Sequence, residues 1–232
     1  MENNDSSYIK LYKKYKKKYI NLRDEFNKSK IVLEKCDYNY FFVHMAFQYS
    51  NFIGILTDGI IYPGKDLKYE QRNFAADKSS EYVFTNIYFE DLKNLPGPKQ
   101  YSFILHPKIL YKYGFYFNEQ WKGDVMEDSL CVNTFDSPKQ IIHKLNIIRK
   151  FLTGPPFSEW IEINNLMSHE ILFDHPIDLS DGNLLAIVCR NATQNQLNEI
   201  RKIIKNKPYK NVLIITDGIE FPSLDNMIYD DL

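Results

Sequence analysis

Tyr40-Phe41-Phe42-Val43-His44-Met45-Ala46 reads as a strand, because β-branched and aromatic side chains suit a pleated, half-buried surface. We set its bounds at 38–47. One imidazole, His44, interrupts the apolar run. Behind it, Ser50 to Thr57 predicts a short helix, with Ser50 as N-cap and Gly59 just past the end, where glycine is favoured. A strand bearing one polar residue and feeding a short helix is the unit from which the rest of the fold is read.

Further along, Tyr82-Val83-Phe84-Thr85-Asn86-Ile87-Tyr88-Phe89 is a second aromatic strand, on which Tyr82, Phe84, Asn86 and Tyr88 share one face. A third, Glu170-Ile171-Leu172-Phe173, bends at Pro176 and continues as Ile177-Asp178-Leu179. Tyr101–Leu105, Leu184–Cys189 and Val212–Ile215 are shorter apolar strands, and residues 108–136 read as mixed strand and loop. Helices are predicted from Ser137-Pro138 to Leu152, with proline in the first turn, and over Thr193–Lys205, with Thr193 as cap. Phe157–Leu166 reads as a helix or strand. Strands and helices in irregular order define an α+β class.

Residues 7–34 carry Tyr8, Leu11, Tyr12, Tyr15, Tyr19, Leu22 and Phe26 at helical spacing, with lysines 10, 13, 14, 16, 17 and 18 mostly opposite. This lysine-rich amphipathic helix is read as residues 1–35. It docks on the core by its tyrosines, or reaches nucleic acid or a partner. The net charge of −1 argues against the whole molecule being an electrostatic nucleic-acid binder. Three well-separated cysteines, Cys36, Cys131 and Cys189, fit a reducing compartment rather than a disulfide framework or structural zinc. No run nears the roughly 18 apolar residues of a membrane span. The expectation is a soluble, intracellular (cytoplasmic) protein with no metal.

Phosphate-binding glycine loops, nucleophile elbows and paired-histidine zinc motifs are absent. What remains is the set of three polar-bearing strands. Val43-His44 followed by Asn51-Phe52-Ile53-Gly54-Ile55-Leu56-Thr57-Asp58-Gly59 resembles the first motif of the ADP-ribosyltransferase superfamily. Thr85-Asn86-Ile87-Tyr88-Phe89 is similar to the second motif of its poly(ADP-ribose) polymerase branch, and His169-Glu170-Ile171-Leu172-Phe173 to the third. The resemblance covers roughly residues 40–190.

That resemblance implies a split β-sheet core over residues 36–232, preceded by the basic helix, and transfer of ADP-ribose from NAD, which is consumed as substrate. Glu170, His44 and Tyr88 would be the catalytic set, with His44, Tyr82, Tyr88 and Ser168 against NAD. Arginine-modifying members carry an acidic residue two positions before the catalytic glutamate; here that position is Ser168. An acceptor other than arginine is therefore expected: another protein side chain, nucleic acid, a small molecule or water. A tRNA 2′-phosphotransferase activity would gather basic residues, and Arg72, Arg149, Arg190 and Arg201 are dispersed along the chain. The alternative from another class is a catalytically inert binding or virion-associated protein acting through the basic helix. The Lys- and Tyr-rich opening also looks like proteins of large DNA viruses.

Overall fold

The computed structural model describes residues 40–66, 81–90, 99–120, 130–133, 135–153 and 167–216. The expected helix over 7–34 and the element over 157–166 lie outside them. Within them the class is α+β. The strands are β1 (Tyr40–Ala46), β2 (Ile60–Ile61), β3 (Val83–Phe89), β4 (Tyr101–Leu105), β5 (Phe115–Gln120), β6 (Cys131–Val132), β7 (Met167–Phe173), β8 (Ile177–Asp178), β9 (Leu184–Cys189) and β10 (Leu213–Ile215). The helices are α1 (Tyr49–Asp58), α2 (Ile109–Tyr113), α3 (Pro138–Thr153) and α4 (Gln194–Ile204).

Eight strands form one sheet in the order β10-β9-β4-β1-β3-β7-β5-β6, and β2 pairs with β8 separately. Every neighbouring pair of the large sheet is antiparallel except β10 with β9. The sheet is laddered unevenly. β1 pairs with β3 only from Tyr40↔Phe89 to Val43↔Asn86. Beyond that point, His44 to Ala46 pair with β4, while Val83 to Thr85 pair with β7. The sheet therefore divides at Val43/Asn86 into β10-β9-β4-β1 and β3-β7-β5-β6, joined at the base and parted above it.

One face carries the main core. Phe42, Ala46, Ile87, Phe103, Ile171 and Phe173 meet Phe52 and Leu56 of α1, Ile109 of α2, Leu145 and Ile148 of α3, and Ile200 of α4 in one cluster. The opposite face carries a smaller one, including Phe41, Val43, Tyr88, Ile104, Ala186 and Val188. Strand alternation alone separates the two sets.

Local signals place the helices. Thr193 closes a capping box with Gln196 on α4. Gly59 ends α1 at φ 76, its N–H returning to the Ile55 carbonyl at 2.7 Å. Ser50 is not the cap: α1 starts at Tyr49 after Gln48, whose carbonyl accepts from the Phe52 N–H, which leaves Ser50 inside the first turn. Within 108–136 the sequence suggests strand and loop, yet residues 109–113 turn helical, burying Ile109 and Leu110 and stopping at Gly114.

Candidate active site

A polar row crosses the second half of the sheet at the point where the halves part. Asn86 on β3 lies opposite Glu170 on β7, and Glu170 lies opposite Asn118 on β5. Residues paired directly across antiparallel strands project to one face. Asn118 Nδ2 donates to Glu170 Oε2 at 3.1 Å. Asn118 is only 7 % exposed, so packing holds the amide and the amide aims the half-buried carboxylate. The β5–β7 register shifts between Asn118 and Gln120, a bulge of the kind that re-aims a side chain.

His44 is the first β1 residue past the last β1–β3 pair. Its ring sits beside Phe103 at 6.1 Å, and Nδ1 lies 2.7 Å from the Phe84 carbonyl. The side chain thus stands in for the ladder bond that the divergence removes. A carbonyl can only accept, so Nδ1 carries the proton. Burial lowers the imidazole pKa below its usual 6.5, and the carbonyl bond only partly opposes this. A neutral ring with Nδ1 protonated leaves Nε2 as an acceptor.

By alternation His44 belongs to the face of Phe42 and Phe103, whereas Glu170 shares that of Asn86. They are not side by side on one surface. His44 borders the divergence and Glu170 lies one strand beyond it: Val43 and Glu170 flank Asn86, two strand spacings apart, roughly 10 Å.

Tyr88 is 3 % exposed, its ring stacked on Phe41 at 5.6 Å with planes 8° apart. Burial raises its phenol pKa, the nearby Arg190 charge opposing. It is packing in the smaller cluster rather than an open stacking face. Tyr82, by contrast, is partly exposed and meets Tyr116 edge-on at 5.9 Å. Tyr116 pairs with Leu172 and so lies on the Glu170 face, one row away. Burial, then the Tyr116, Glu81 and Asp174 charges, raises the Tyr82 pKa and keeps it protonated. Ser168 lies on β7 two residues before Glu170.

Asn86, Asn118 and Tyr116 share the Glu170 face, and the sequence reading does not single them out. Asn118 had the same signal as His44, one polar side chain in the aromatic run Phe115-Tyr116-Phe117-Asn118. Which strand lies beside β7 is a matter of topology, and only that made it visible.

These features belong to an α+β class with a divided sheet and a carboxylate one strand from the division. The chain belongs to the family of unknown function DUF5846, whose pattern matches residues 37–155. It is 41 % identical over 237 residues to "Uncharacterized protein R11" of Acanthamoeba polyphaga mimivirus, a match covering 97 % of this chain and 85 % of that protein. In outline it is also similar to Thermus sp. 2.9 DarT in complex with ADP-ribosylated ssDNA, with a TM-score of 0.47 and 10 % identity over 77 % of this chain and 93 % of that one. Among the described residues, no helix is long and apolar enough to cross a membrane.

Proposed function

We propose that the divergence between the half-sheets is an NAD site at which ADP-ribose is transferred to an acceptor other than arginine, with Glu170 as the catalytic carboxylate. The observation that carries this reading is the Asn118–Glu170 hydrogen bond, which fixes a half-buried carboxylate one strand away from where β1 and β3 stop pairing. An aimed carboxylate suits a reaction that develops positive charge on a sugar. The bond from ribose C1′ to nicotinamide breaks, its electron pair leaves with the neutral base, and the ribose acquires oxocarbenium character. Glu170 accepts a hydrogen bond from a ribose hydroxyl and faces that charge. The acceptor then forms the new bond at C1′ and releases its proton to water.

In this reading His44 Nε2 accepts from a ribose hydroxyl or the nicotinamide carboxamide. Tyr82, with Tyr116 beside it, gives the nicotinamide ring an aromatic wall, an arrangement that supplies area and orientation together. Tyr88 backs β1 through Phe41 instead. Ser168 is small and uncharged, which keeps an arginine guanidinium from finding a second carboxylate there.

The test is incubation of the full chain with NAD, following nicotinamide release and mass gain on added acceptors. Glu170→Gln is expected to abolish release with an unchanged melting temperature. Release at the wild-type rate from that variant would falsify the assignment.

A further inference from the structure

A cavity lies where β1 and β9 end and β4 begins. It measures about 450 Å³ and is lined by Ala46, Phe47, Lys99, Gln100, Arg190 and Asn191. Its floor is fixed by backbone: the Arg190 N–H donates to the Gln100 carbonyl at 2.9 Å, extending the β4–β9 ladder by one bond. Asn191 then takes φ 56, a left-handed conformation that asparagine tolerates better than most residues. That turn sets Arg190 at the cavity while Thr193 begins α4.

The lining chemistry is specific. Arg190 Nε is buried and has no hydrogen-bond partner among the described residues. That atom is enclosed by protein, so what Arg190 offers a ligand is the positive charge it adds to the cavity lining. Lys99 adds a second cation, its Nζ 3.8 Å from the centroid of the Phe47 ring. Phe47 is 58 % exposed, so its ring is open to solvent beside the cavity. Phe47, Lys99, Gln100 and Asn191 are all exposed, so the rim is open. A small-molecule site would enclose most of its ligand. An open rim instead suits one unit of a longer chain whose ends run on.

We propose that this cavity binds one nucleotide of an unpaired nucleic-acid strand, its phosphate between Lys99 and Arg190 and its base against the Phe47 ring. Two cations match the phosphate, and a flat exposed ring matches any base face, the combination by which single strands are held without sequence readout. An acidic peptide would satisfy the cations and leave Phe47 unmatched. The proposal stands on this cavity alone and does not depend on NAD turnover.

The test is fluorescence anisotropy of a labelled 12-nucleotide single strand titrated with the full chain across a salt series. Phe47→Ala is expected to weaken binding at least about five-fold, the low end of stacking losses. Lys99→Ala should reduce the steepness of log affinity against log salt by about 0.7, the share of one phosphate contact on a single strand. Lys139→Ala, an exposed lysine on α3, should change neither. Both informative positions are exposed, and melting curves of the variants are the check that they fold. Failure of the wild-type chain to bind overturns the proposal, as does unchanged affinity and salt slope in both variants. Displacement of the strand by AMP or polyglutamate at equal concentration of units overturns the choice of ligand.

Discussion

Asn118 holds Glu170 through a neutral amide, and the choice of a neutral partner has a measurable consequence. Asn118→Asp keeps the shape and places a second carboxyl at the same 3.1 Å contact. Like charges that close share a proton, so the acid limb of the pH dependence of NAD turnover should move upward. An unchanged profile in that variant would remove Asn118 from its positioning role. His44 makes a separate prediction about stability. Its folded pKa lies below 6.5, so the unfolded chain takes up a proton that the folded one resists. The contribution of neutral His44 is complete above pH 6.5 and is lost as the pH falls from there toward the lower folded value. The urea midpoint of the wild type should therefore drop more between pH 7.5 and 5.5 than that of His44→Asn; equal drops contradict it. At this scale the sequence shows the strand placement of His44 and Glu170, each a polar side chain in an apolar strand. It was not readable for Tyr88 against Tyr82. The period of two places both on one face, but which end of that face is covered depends on Phe41, a neighbour from another strand.

Elements were legible wherever a local backbone need had a dedicated residue. Gly59 is the clearest case. Its φ of 76 favours glycine, and a Cβ there would come 3.2 Å from the Tyr209 hydroxyl. That hydroxyl donates to the Leu56 carbonyl at 2.7 Å, so the end of α1 is closed from two sides. Gly59→Ala should cost about 1–3 kcal/mol in chemical denaturation. Tyr209→Phe should cost about 1 kcal/mol by leaving that carbonyl without its partner. The double variant should fall short of their sum, because without the hydroxyl the new methyl meets less resistance; strict additivity would show that the two closures are unrelated. Thr193→Ala, at the capping box of α4, should cost about 1 kcal/mol. The start of α1 escaped the sequence because Ser50 carries the composition of a cap while Gln48 carries its geometry. Residues 109–113 escaped because five residues are too few for helical periodicity to register.

For the whole molecule, class was available from pattern, whereas the strand order was not. Order depends on which apolar faces meet across long stretches of chain, and no local signal records it. The main core joins both half-sheets to all four described helices in one cluster, so truncation there should be felt globally. Leu145→Ala, at a position 1 % exposed, should lower stability by about 2–5 kcal/mol. It should do so without splitting the transition, since one contiguous core unfolds as a unit; two separate transitions would count against that unity.

The division of the sheet has one more consequence, for how the gene can be cut. Following the chain, β1 belongs to one half, β3 to the other, β4 to the first, β5, β6 and β7 to the second, and β9 and β10 to the first again. Neither half is a continuous stretch of polypeptide. A break anywhere between β1 and β7 would leave each fragment with strands from both halves or with too few strands to fold. The two halves are woven like fingers of clasped hands, and a recombination event could not have exchanged one without carrying part of the other.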